Sequence, residues 1–160
     1  VAEGLGWAML SGAVFGALGG ALGYTISNNR GQFVGYHGTS SKHLPSLQKG
    51  INPDRYSGAN FGGRSQLGPG FYVTRDRQAA EYFARIAARL SGGDPIVVRV
   101  FAKGTDQMVG SVVPRSLWWN TPPSYIDDFA YLEAPISSFE HWWQIKFNPS
   151  VCSELSIVFP

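Results

Sequence analysis

The chain has 160 residues, enough for one domain of ordinary size but not two. Hydrophobic residues at 44% against 15% charged exclude a disordered chain, and 20 Gly, 10 Pro and 14% aromatics argue against a helical bundle. A net charge of +2 permits nucleic-acid contact without indicating it. The single cysteine, Cys152, excludes an internal disulfide and a cysteine-rich zinc site; with only three His, no metal is expected.

The sequence opens on Val1 rather than Met and reads as a piece of a longer protein. Residues 4–26 carry no charge and are long enough to cross a bilayer, yet seven of residues 4–24 are Gly, which disfavours a helix in water. Three readings compete for this head: packing on the domain or on a neighbouring part of a larger parent, membrane entry, and a true anchor. The first is preferred, since hydropathy alone does not separate them. A polar linker with turn chemistry follows at residues 27–31, so the expected division is an apolar segment at 1–26 and a folded domain at 27–160.

Residues 33–36 predict a short strand entering a tight turn at His37-Gly38-Thr39-Ser40. Ser40 or Ser41 is placed to cap a helix over 43–49, closed by Gly50. Residues 51–70 hold five Gly and two Pro and read as a long loop, of the kind that is usually functional or mobile. Residues 71–74 are strand-like. Residues 76–90 form the strongest helix pattern, with Thr74 or Asp76 as cap, Ala79, Tyr82, Phe83, Ile86, Ala87 and Leu90 on one face, and Gly92-Gly93 as stop. Further strands are expected at 95–101, weakly at 108–113, leading into 133–136 from 129–132, at 142–147, and as an edge at 156–159. A proline-framed aromatic loop lies between 114 and 123. The sum is a small α+β domain of short strands with one or two helices.

The segments that carry chemistry are Tyr36-His37-Gly38-Thr39-Ser40, then Gly68-Pro69-Gly70-Phe71-Tyr72-Val73-Thr74, then Ala79-Ala80-Glu81-Tyr82-Phe83-Ala84. Singly, each has a plain structural explanation: a hydrogen-bonding turn histidine, a turn before a strand, core aromatics. In this order the set resembles the ADP-ribosyltransferase superfamily, in the branch of the diphtheria-type toxins and poly(ADP-ribose) polymerases. That branch carries a His-Gly-Thr/Ser strand, Gly-x-Gly-hydrophobic-Tyr entering a helix, a second aromatic on the helix and a later acidic residue. The likeness runs from residue 34 to about 147 and implies a split sheet of short strands.

The resemblance implies NAD as cosubstrate and no metal. Cleaving the nicotinamide–ribose bond passes through an oxocarbenium-like state, so the site must hold the leaving ring, fix the ribose and set a carboxylate near the developing charge. His37 is then expected to hydrogen-bond a ribose hydroxyl of the adenosine half, Gly38 to bring its backbone close to the carboxamide, and Thr39 or Ser40 to add a hydroxyl. Tyr72 is expected to stack on the nicotinamide, with a helix aromatic opposite. The relatives space the two aromatics eleven apart, which selects Phe83; the tyrosine here, Tyr82, is ten on and is the one chosen, the other being expected to face the core. For the catalytic carboxylate Glu133, in Leu-Glu-Ala-Pro-Ile, is preferred to Glu140, Asp127, Asp128 and Glu154. Arg55 and Arg64, in the long loop, are the candidates for the pyrophosphate.

The glycine-rich head and single domain are similar to the C-terminal toxin module of an Rhs-type bacterial polymorphic toxin. That implies secretion into a target-cell cytoplasm, a cognate immunity protein and a macromolecular acceptor, RNA or another nucleic acid, or protein. Membrane contact through residues 4–26 is a further possibility. Trp118, Trp119, Trp142 and Trp143 are candidates for a partner surface, although core is the better reading of paired tryptophans. The alternatives are an NAD glycohydrolase toxin and a catalytically inactive NAD-fold interaction module.

Overall fold

The computed structural model describes residues 30–52 and 65–160. The apolar head and the arginines Arg55 and Arg64 lie outside the described residues. The chain forms β1 (Gln32–Ser40), a 3-10 turn (Ser41–His43), α1 (Leu44–Gln48), β2 (Phe71–Thr74), α2 (Arg77–Ser91), β3 (Pro95–Ala102), β4 (Gly110–Val112), α3 (Pro123–Asp128), β5 (Tyr131–Ile136), β6 (Phe139–Phe147) and β7 (Leu155–Val158). A 3-10 segment, Pro149–Glu154, leads into β7. The described domain is α+β, with a single seven-stranded sheet in the order β4-β5-β6-β2-β1-β3-β7. All pairs are antiparallel except β4 with β5.

The long helix follows its sequence signals. Asp76 caps it by accepting from the backbone N–H of Gln78 at 2.8 Å and of Ala79 at 3.4 Å, and Gly92 ends it at φ 78°, a conformation that favours glycine. Strand β1 departs from expectation. His37-Gly38-Thr39-Ser40 is strand, not turn, because β3 supplies a partner for each residue: His37 opposite Val98, Gly38 opposite Val97, Thr39 opposite Ile96, Ser40 opposite Pro95. Cross-strand hydrogen bonding overrides the local turn signal of Gly-Thr-Ser. The 3-10 turn capped by Ser40 comes first, and the helix after it is only Leu44–Gln48.

A second departure concerns α2. The face it buries against β1 is Ala79, Ala80 and Ala84, and not the stripe of larger residues. Gly38 explains the choice. A Cβ there would stand 1.9 Å from the Ala80 carbonyl oxygen and 2.6 Å from the Ala84 nitrogen, so the helix backbone rests directly on the strand. With three alanines inward, the large residues turn outward, and Leu90 is 70% exposed.

Pairing and alternation assign each side chain to a face of the sheet. Tyr72 lies opposite Lys146, and Thr74 opposite Gln144, which in turn lies opposite Ala134. These residues share one face with Tyr36, the partner of Thr74. Phe71, Val73, Ile145, Phe147, Tyr131 and Glu133 share the other. The main core, built on Val34, Phe71, Val73, Val100, Tyr131, Ile145 and Phe147, lies on the second face. A smaller core of Leu67, Val113, Leu132 and Ala134 lies on the first, covered by Trp118, Tyr125 and Phe129. Between β1 and β2 the ladder is registered at one pair, Tyr36 with Thr74, so the two halves of the sheet diverge there. Among the described residues no helix is long and apolar enough to cross a membrane.

Candidate functional site

A cavity of about 450 Å³ opens on the face of Tyr72, where β1 and β2 part. His37, Gly38, Tyr72 and Tyr82, singled out from the sequence, all line it. Its wall is mostly aromatic and aliphatic, with Tyr36, Phe83, Ile86, Leu90, Trp119 and Phe139. The polar lining residues are Ser65, Gln66, Thr74, Ser137, Ser138 and Gln144, with His37, whose ring lies on Phe71 on the other face of the sheet. No Asp, Glu, Lys or Arg is among the described lining residues.

Tyr72 presents a ring whose hydroxyl is already engaged. The hydroxyl donates to the Gly68 carbonyl at 2.7 Å and accepts from the Leu67 N–H at 3.0 Å, and burial holds its pKa above the usual phenol range. What it offers a ligand is therefore a fixed π-face and not a proton. Gly68, at φ 78°, and Gly70, at φ 150°, shape the turn that makes this possible; a side chain on Gly70 would meet Lys146 at 2.2 Å. His37 stacks on Phe71 at 4.3 Å, and its Nδ1 lies 2.7 Å from the Tyr72 carbonyl, which accepts, so the hydrogen sits on Nδ1. Burial lowers its pKa to about 4, against the smaller opposing effect of that hydrogen bond, and the ring is neutral at physiological pH.

Both candidate aromatics of α2 line the cavity, and neither faces the core. Tyr82 packs edge-on against Phe83 at 5.4 Å and Phe139 at 4.8 Å, with Trp142 at 6.1 Å. This follows from the inward alanines, which leave both positions on the open flank of the helix. The tryptophans divide similarly. Trp118 is half-buried on the smaller core and donates to the Val113 carbonyl at 3.0 Å. Trp119 is 43% exposed at the cavity rim, at φ 66°, a left-handed conformation rare for so bulky a residue.

The remaining sequence candidates lie elsewhere. Thr39 is buried outside the cavity. Ser40 donates to the Gly92 carbonyl, tying the end of α2 to β1. Glu140 is paired with Arg115 at 2.8 Å on the surface. Glu133 is buried on β5 with its side chain on the face of Val73 and Ile145, opposite to Tyr72 and Gln144, and it accepts from Arg75 at 3.2 Å. Desolvation raises its pKa, with the Arg75 guanidinium pulling the other way. Its strand neighbour Ala134, and not Glu133, is registered with Gln144.

Sequence reading missed Gln144 and Gln66. Gln144 is 9% exposed and donates through Nε2 to Gln66 Oε1 at 2.8 Å. Gln66 also accepts from the Ser137 N–H at 3.0 Å and donates to the Pro135 carbonyl at 2.8 Å. Gln144 was visible as part of a strand, but Gln66 sits in a stretch with no local pattern and joins partners about seventy residues away. Among the described residues no group of three or more His, Cys, Asp or Glu could hold a metal ion. A scan against protein-family models finds no match to this chain, and a search of curated proteins finds none either.

Proposed function

We propose that this domain binds NAD through its nicotinamide end and transfers ADP-ribose to a macromolecular acceptor. The observation that supports the reading is convergence: His37, Gly38, Tyr72 and Tyr82, from three separated segments that resemble ADP-ribosyltransferase motifs, line one aromatic, uncharged cavity. A flat ring that leaves as a neutral heterocycle suits such a wall. Tyr72 and Tyr82 bracket the ring, and His37, neutral and fixed by Tyr72, orients the ribose of the adenosine half. Within the one sheet, the single registered pair between β1 and β2, Tyr36 with Thr74, is the feature compatible with an ADP-ribosyltransferase-like fold.

Glu133 is the proposed carboxylate that holds the nicotinamide ribose and stabilises its developing charge. Arg55 and Arg64 are proposed to meet the pyrophosphate. As an Rhs-type toxin module delivered into a target cell, the domain would act on RNA or protein there and be silenced by an immunity protein covering the cavity mouth.

A second reading, NAD binding without cleavage, is favoured by one specific observation. Glu133 is paired with Arg75 on the face opposite to Tyr72, and no described carboxylate lines the cavity. The two readings part in a single experiment: NAD binding and nicotinamide release by the unmodified chain and by Glu133→Ala, His37→Ala and Tyr72→Ala, with cell RNA, DNA and protein as labelled-NAD acceptors. Release lost in all three variants supports the enzyme. Binding without release, in every acceptor mixture, supports the interaction module. Release with no label transferred identifies a glycohydrolase.

A further inference from the structure

The polarity of the Gln66–Gln144 pair is fixed by the backbone. The Ser137 amide can only donate, so the Gln66 atom facing it is Oε1. The Pro135 carbonyl can only accept, so the other end of Gln66 is Nε2. Gln144 meets Gln66 at that same Oε1 and must therefore offer Nε2 to it. Its own Oε1 is left as an acceptor with no protein partner among the described residues, on a side chain that lines the cavity. Two main-chain groups thus leave Gln144 Oε1 as an open, uncharged acceptor in a mostly apolar wall.

We infer that Gln144 makes the cavity selective for a neutral planar ring bearing an N–H donor, a carboxamide or exocyclic amine, over the carboxylate analogue of the same ring. The inference deepens the NAD reading and rests on it for its choice of ligand. A carboxamide or amine donates to Gln144 Oε1 and keeps its ring on Tyr72. A carboxylate presents only acceptors to an acceptor and brings a charge into a wall with no described cation to pair it. Sites built to bond a ligand N–H reject analogues lacking it far more strongly than apolar pockets reject size differences. Gln144 is thus the specificity-determining residue, and Gln66, which never meets the ligand in this scheme, is the positioning residue that sets its polarity.

The test titrates nicotinamide against nicotinate, and benzamide against benzoate, into the full chain at neutral pH by ligand-observed NMR. Each amide is expected to bind at least about tenfold tighter than its acid. Gln144→Met, close in shape and without the acceptor, loses most of that preference by weakening the amide. Gln66→Met, which releases Gln144 to turn, narrows the preference while the aromatic wall stays in place. The wild-type ratio stands as a test even where a variant fails to fold. Equal binding of amide and acid, tighter binding of the acid, or no binding of either ring overturns the inference. If NAD is bound or cleaved while amide and acid compete equally, selectivity alone fails and the function stands. If the amides bind selectively and NAD does not, the NAD reading fails and the cavity's ligand is a different donor-bearing ring.

Discussion

Tyr72 separates ring from hydroxyl in a way mutation can read. Its hydroxyl serves the protein, satisfying the N–H of fully buried Leu67 and the Gly68 carbonyl, while its ring serves the cavity. Tyr72→Phe is expected to lower stability by about 1–2 kcal/mol, since a buried N–H loses its partner. It should leave binding of an aromatic ligand nearly unchanged. Tyr72→Ala should weaken that binding about tenfold, the worth of one well-placed aromatic contact. Urea denaturation beside a nicotinamide titration separates the two effects; equal loss of ligand by both variants would refute a stacking role. Glu133 poses the sharper question, because it is buried, paired and on the opposite face. If it is the reaction's carboxylate, Glu133→Gln should cut nicotinamide release at least about a hundredfold, as loss of a general acid–base group does. NAD affinity should change little. Release that persists in the variant would leave Glu133 a structural partner of Arg75.

At the scale of elements, the contact between β1 and α2 is set by one missing side chain. Gly38→Ala drives a methyl to within 1.9 Å of the Ala80 carbonyl, so the helix must lift from the strand. A loss of about 3 kcal/mol or more is expected, at the upper end of overpacking costs, together with loss of ligand binding as the cavity wall moves. A melting temperature within a degree of wild type would contradict this. The same contact shows what was legible in the sequence. The helix itself was, because Asp76, the 3.6-residue pattern and Gly92-Gly93 are local signals. Its orientation was not, because taking Tyr82 as the aromatic that meets the ligand puts Phe83 towards the core, and only the strand partner reveals that alanines fit there. His37 to Ser40 read as a turn because β3, which pairs with them, begins 55 residues further on than Ser40. Helix α3, opening on Pro123 after Pro122, was hidden inside a proline-framed loop, although Pro at the first helical position is a good start signal. Of the cavity, the motif residues were legible and the Gln66–Gln144 polarity was not, since it depends on main-chain groups at Pro135 and Ser137.

For the whole molecule, the buried polar tie behind the cavity links its loop to the rest of the sheet and makes stability depend on pH in an unusual direction. Lys146, fully buried on β6, donates to the Pro69 carbonyl at 2.9 Å and to Asn148. Asn148 in turn donates to the Ile126 carbonyl at 3.0 Å and to that of Phe129, so the turn before Tyr72 and the end of α3 are held together. Burial lowers the Lys146 pKa to about 7. Between that value and the ordinary lysine range the unfolded chain binds a proton that the folded chain does not, so stability rises with pH there, by up to about 1.4 kcal/mol per unit. Cys152 works against it at higher pH. Its pKa is raised by burial to about 11, so above about 9 the folded chain retains a proton that the unfolded one has lost. Lys146 therefore acts without that opposition between pH 7 and 9. His37 adds a lower limb of the same sign: with its folded pKa near 4, stability falls as pH drops from 6.5 towards 4. Glu133, whose pKa burial raises from 4.5, opposes the His37 limb, since there the folded chain keeps a proton that the unfolded one has lost, so the resolved climb in the expected profile is the one from 7 to 9, after which it levels. Lys146→Met should flatten that upper climb, since a thioether does not titrate. Urea unfolding at pH 5, 7 and 9 on both proteins reads this directly, and an upper limb that is flat in the wild type, or unchanged in the variant, would remove Lys146 as its source.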